Sequence, residues 1–204
     1  MTRLLLIRHG EVQGIEPPIF RGRLDLPLTP RGLRQAGATA DYLTGRHALG
    51  AVYCSPLSRC VRTADMICEP FHTASIAHLG LNDINYGAWT GLGTDEVRER
   101  WPHEASLWKT APHAFRIPGG ESLQDLAARA TDALAAILSK HPHGTVAVVT
   151  HDCVIRALLC HALGLPLSAY WQLAPSPCGI STLTHEDGRF TVAAINETQH
   201  LSNL

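Results

Sequence analysis

LLLIRHGE, residues 4–11, sets four apolar residues directly against an arginine, a histidine and a glycine. A continuous apolar run this short, with glycine just beyond it, reads as a strand buried on both faces. TVAVVT, residues 145–150, is a second such run and ends on His151 and Asp152. Ala51 to Cys54 is a third, followed by Ser55-Pro56 and, one helical turn on, Arg59. In open parallel sheets, ligands sit beyond the carboxyl ends of the strands. Charged residues just past three buried strands therefore fall where a ligand would bind.

The intervening segments read as helices. In TPRGLRQAGATADYL, residues 29–43, Thr29 caps, Pro30 opens the first turn, and Leu33, Ala36, Ala40 and Leu43 share a face. Ser55 as cap and Pro56 at the first position predict a helix running to about Cys68. Ser122 caps a long helix to Lys140, and a further helix after His151 is closed by Gly164. ISTLTH and RFTVAAI flank EDGR, a hairpin with an Asp-Gly turn. Residues 81–120, rich in tryptophan, glycine and proline, read as a lid or insertion of short helices and loops. Strands alternating with helices predict one α/β domain over residues 1–204. Its central sheet is mostly parallel, with an antiparallel edge.

A net charge of −1 leaves no global field for nucleic acid or an anionic membrane, so any anion binding must be local. The six cysteines form no CxxC pair, which fits a reducing, cytoplasmic setting better than disulfides or zinc. No apolar run approaches a membrane span, and MTRLLLI is too short for a signal sequence.

Arg8, His9, Arg59 and His151 thus gather at one sheet edge, and that set suits a phosphoryl group. A guanidinium matches phosphate oxygens bidentately. One neutral imidazole can attack phosphorus, and a second, protonated one can steady the equatorial oxygens. Gly10 lets backbone approach closely. No metal cofactor is needed, because the arginines offset the developing charge.

With these segments in order, the chain resembles the histidine phosphatase superfamily, in its phosphoglycerate mutase-like branch. LIRHGE (6–11), LDLPLTPRG (24–32), SPLSRCVRTA (55–64), NYGAWTGL (85–92), PGGES (118–122) and VTHDCVIRALL (149–159) carry the resemblance. It implies a three-layer α/β/α sandwich and a phosphohistidine formed at His9, with Arg8, Gly10, Arg59 and His151 around the phosphate. It also implies hydrolysis of a small phosphorylated metabolite. A phosphomutase and a non-catalytic phosphate-binding relative are the alternatives.

Three departures stand out. The family's glutamate donor is replaced in LNDINYG by Asp83, shorter by about 1.5 Å. Asp152 is the rival donor, since a His-Asp pair supplies the acid in the acid phosphatase branch. Val12 and Ile15 stand where relatives carry polar phosphate contacts, with Glu16-Pro17-Pro18 behind them, so the loop reads as rebuilt. Glu11, Arg62 and Glu121 are further site candidates, and Arg62 also reads as a surface partner of Asp65 or Glu69. His113 and Arg116 in the lid are substrate-contact candidates. The hairpin edge at 179–195 is a surface on which a homodimer can form, although nothing in the sequence requires one.

Overall fold

The computed structural model describes residues 1–14 and 18–204. The expectations for Ile15, Glu16 and Pro17 lie outside the described residues. A six-stranded sheet has the order β3-β2-β4-β1-β5-β6. Its strands are β1 (Thr2–Arg8), β2 (Leu49–Cys54), β3 (Ser75–Ala77), β4 (Gly144–Thr150), β5 (Ile180–Glu186) and β6 (Arg189–Glu197). β1 to β4 pair in parallel, and β5 and β6 supply the antiparallel edge. At the hairpin turn Asp187 and Gly188 both take positive φ (48° and 75°), the twist that suits a two-residue connection.

Strand period 2 divides the core. Leu4, Leu6, Tyr53, Val146 and Val148 face one layer, made by α5 (Leu123–Lys140) and α6 (Asp152–Leu163). Leu5, Ile7, Val52, Ala147 and Val149 face the other, made by α1 (Pro30–Thr44) and α2 (Ser58–Cys68). The result is the three-layer α/β/α sandwich. Each fully buried aliphatic side chain contributes roughly 1.5–3 kcal/mol.

Most predicted elements form where expected, with instructive exceptions. Thr29 caps α1 through Gly32 N–H, and Ser122 and Asp125 complete a capping box on α5. Leu33 is 37% exposed, off the buried face of α1. α2 begins at Ser58, not Pro56, and its N-cap Leu57 offers no side-chain bond. Ser55 stands three residues ahead of it: its backbone N–H extends the ladder to Val149 O, and its hydroxyl accepts a long bond from Leu57 N–H at 3.4 Å while also meeting the His151 ring. The three-residue strand β3 was not legible in the sequence. Within 81–120, α3 (Thr94–Arg100) and α4 (Pro102–Thr110) form, with Trp89 and Trp108 packed into the core.

Register fixes the site. β1 and β4 align Arg8 with Thr150, and β2 and β4 align Cys54 with Val149. The next residue along each chain, His9, His151 and Ser55, therefore emerges at one edge.

Candidate active site

His9 is 2% exposed, and its Nδ1–H donates to the Gly10 carbonyl at 2.7 Å. A carbonyl only accepts, so the ring is the Nδ1–H tautomer and Nε2 keeps its lone pair. Burial, then the charges of Arg59 and Arg8, hold its pKa well below the ordinary value. His9 is thus neutral across the physiological range. The room left at Gly10 is taken by α1, since a Cβ there would lie 2.5 Å from the Gly32 carbonyl.

His151 packs 5.2 Å from His9, ring centre to ring centre, and is wholly buried. Its Nε2 meets the Ser55 hydroxyl at 2.8 Å, and its Nδ1 lies 3.4 Å from Asp83 Oδ2. Cys60 Sγ sits 3.5 Å from Nε2. Burial and the charge of Arg59 depress its pKa also, so this imidazole is neutral in the free protein and not the imidazolium expected from the sequence.

Arg59 is 0% exposed and Arg8 9%. Arg59 donates through Nη1 to Leu24 O and through Nη2 to Gly22 O, both at 2.6 Å, and from Nη2 to Asp83 Oδ2 at 3.0 Å. Arg8 Nη1 donates to Pro175 O at 2.8 Å. Nε of each is buried with no partner among the described residues. An unpaired buried guanidinium N–H is costly, and two beside one imidazole point to a bound anion.

The two candidate acids differ electrostatically. Asp83 is 6% exposed, and its Oδ1 accepts from Ile84 N–H at 2.9 Å. Burial pushes its pKa up to about 6 against the pull of Arg59. Asp152 is also pushed up by burial, but Arg8, Arg156 and Arg21 together outweigh that and hold it at about 2. One carboxyl is poised to carry a proton near neutrality, and the other is fixed as an anion.

Arg129, in mid-helix α5 and without any motif signal, anchors the Asp83 loop. It donates to the carbonyls of Gly80, Asn82 and Asp83 and to both oxygens of Glu121. Glu121 also accepts from Asn85 N–H and pairs with Arg23. Glu121 thus braces the loop from behind. Glu11 turns to the start of α1, accepting from Thr29 Oγ1 at 2.9 Å and facing Arg31 at 3.5 Å. Arg62 is exposed on α2, and among the described residues it forms no ion pair with Asp65 or Glu69. Arg116 pairs with Asp125 and is directed to the cap of α5. The His113 carbonyl accepts from Gln124.

Beside Asp83 and Asp152 opens a cleft of about 850 Å³. Its walls are mostly apolar, with Ile19, Tyr86, Val97, Trp108 and Trp171 among them, and Arg21 also lines it. Arg21 lies outside every motif singled out in the sequence.

A neutral imidazole, buried guanidinium donors and a carboxyl with a raised pKa gather at one sheet edge, a set of groups that suits a phosphoryl ligand. The sequence profile of the Histidine phosphatase superfamily (branch 1) matches residues 4–198, and the chain belongs to that family. It is 33% identical over 204 residues to Phosphoserine phosphatase 1 of Hydrogenobacter thermophilus, covering 100% of this chain and 96% of that protein. The structure of Bacillus stearothermophilus YhfR superposes with a TM-score of 0.95 at 28% identity, covering 99% of this chain and 100% of that one. A mutant phosphoserine phosphatase of Entamoeba histolytica, in complex with phosphoserine, superposes with a TM-score of 0.88 at 25% identity. The match covers 98% of this chain and 100% of that one. The chain is a phosphoric monoester hydrolase. Among the described residues no helix is long and apolar enough to cross a membrane.

Proposed function

We propose that the protein hydrolyses a small phosphomonoester through a phosphohistidine at His9. Nε2 of His9 attacks phosphorus in line, and the neutral Asp83 carboxyl protonates the departing alcohol oxygen. Nε of Arg8 and of Arg59 and Nδ1–H of His151 hold the equatorial oxygens. Water then cleaves the N–P bond while the Asp83 carboxylate takes its proton. Asp152, ionised throughout, is not the donor in this scheme. Ser55, by donating to Nε2, sets the His151 tautomer that turns Nδ1–H to the site.

The observation that carries this reading is His9, its Nε2 bare by tautomer, lying within the charge fields of Arg59 and Arg8, whose buried Nε–H groups have no partner among the described residues. Among candidate substrates we favour a phosphorylated hydroxy or amino acid, as in the phosphoserine enzymes that the chain is similar to. Residues 81–120 supply the lid over the leaving group. Six unbridged, buried cysteines support a cytoplasmic setting. The test is a rapid quench with labelled phosphoserine. Wild type should trap an acid-labile, base-stable phosphoryl label that His9→Ala lacks, with turnover in the variant reduced to background. Full turnover by His9→Ala would remove the nucleophile assignment.

A further inference from the structure

The geometry points to Arg21 as the receptor for a carboxylate on the leaving group, a specificity-determining residue on the cleft side of the proton donor. This inference rests on the phosphatase reading above and names what the site selects.

Arg21 begins a tight turn in which Leu24 N–H returns to the Arg21 carbonyl at 2.9 Å. Gly22 holds φ at +47°, and a Cβ there would lie 2.7 Å from Ile84 O and 2.9 Å from the Tyr86 ring. The turn is therefore pressed against the loop that carries Asp83, with no room for a side chain at position 22. Arg59 fastens the same turn from below, through the carbonyls of Gly22 and Leu24. The cation that grips phosphate thus also sets the backbone from which Arg21 projects.

The guanidinium itself is half-buried and lines the cleft, and one of its N–H groups goes to the Gly14 carbonyl. Its charge is felt at His9, Asp83 and Asp152 together, which places it close to the reacting groups. Arg8, His9, Arg59 and His151 do not line this cleft, whereas Asp83 does. Asp83 marks the position of the ester oxygen, so a cation beside it on the cleft side faces the alcohol portion and not the phosphoryl oxygens.

Charge balance in the cleft gives the sign of the ligand. With Asp83 protonated for its task, Asp152 is the remaining carboxylate along the wall among the described residues. Arg98 is held by Asp95 at 2.8 Å, and Lys109 from α4 adds a further cation at the mouth. Among the described residues, Arg21 and Lys109 against Asp152 leave a positive surplus in a mostly apolar cleft, where a fork-shaped donor suits a carboxylate. A carboxylate one or two carbons from the ester oxygen would enter the cleft that Asp83 and Arg21 line together.

Full-length wild type, Arg21→Gln and Arg21→Lys would be assayed on two matched pairs. O-phosphoserine is set against O-phosphoethanolamine, and 3-phosphoglycerate against glycerol 3-phosphate; each pair differs at the carboxylate. Wild type should favour the acid member by roughly 10- to 100-fold in kcat/KM, the range of one charge-assisted contact. Arg21→Gln should bring both ratios to within about threefold of one, mainly through KM, with Arg21→Lys between. Wild-type ratios near one, or equal losses on both members in Arg21→Gln, would overturn the assignment. The second result would make Arg21 a phosphoryl contact or a structural residue. If wild type hydrolysed neither pair and took no label at His9, the phosphatase reading would fail instead.

Discussion

Replacing Asp83 with asparagine separates its proton from its shape. The amide retains the acceptor oxygen facing Ile84 N–H, and Arg59 keeps its two carbonyl partners. What it removes is an acid whose pKa burial has pushed from 3.8 to about 6. At pH 7 such a carboxyl is protonated in about one molecule in ten, against fewer than roughly one in a thousand at the ordinary value. Burial thus raises the reactive form by roughly a hundredfold. A positioned general acid contributes about 10²–10⁴ in rate, so Asp83→Asn should lower kcat/KM on an alkyl monoester by that factor. p-Nitrophenolate leaves without a proton, so p-nitrophenyl phosphate should lose less than about tenfold. Because the active form is the neutral carboxyl, wild-type kcat/KM should fall as pH rises past about 6, and the variant should lack that limb. Steady-state assays on both substrates from pH 4.5 to 8.5 decide the matter. Equal losses on the two substrates, or an alkaline limb that persists in the variant, would refute Asp83 as the acid.

Asp152→Asn should cost less than about tenfold in kcat, without leaving-group dependence, because a group held near 2 has no proton to give at neutral pH; parallel Brønsted plots for variant and wild type check this. Arg129→Met should cost about 2–3 kcal/mol in urea unfolding and lower kcat as well, since Glu121 and three loop carbonyls lose their donor. Asp83 lies above its unfolded value, so its ionisation weakens the fold as pH rises from about 4 through 6. Asp83→Asn should then lack that weakening between about pH 4 and 6 in denaturant melts. Asp152 and Asp125 lie below theirs, both at about 2; their contribution is complete above about pH 4 and is lost as pH falls toward 2. Asp125→Ala should remove that acid sensitivity in part and cost about 1 kcal/mol as the cap is lost.

Residues read at strand ends were legible because period-2 burial and an abrupt change to charge are local signals. Arg8, His9 and His151 needed only that pattern, and the sheet then brought them together. Ser55 shows where local reading stops. A serine before proline reads as a helix cap, yet its hydroxyl meets a histidine 96 positions away, and the helix starts three residues later. Arg129 and Arg21 gave no signal at all. One stands within an alanine-rich helix and donates to carbonyls 49 and 46 positions away, and the other precedes a glycine in a loop and shares the lining of the cleft with Asp83 and Asp152 only through the fold.

The sequence by itself determined the longer strands and helices, the residue types that suit a phosphoryl group and the family, because each is written in spacing a few residues long. Tertiary structure set the two candidate carboxyls apart. Asp83 and Asp152 are the same side chain with the same intrinsic acidity, and burial raises both, but it prevails at Asp83 while Arg8, Arg156 and Arg21 outweigh it at Asp152.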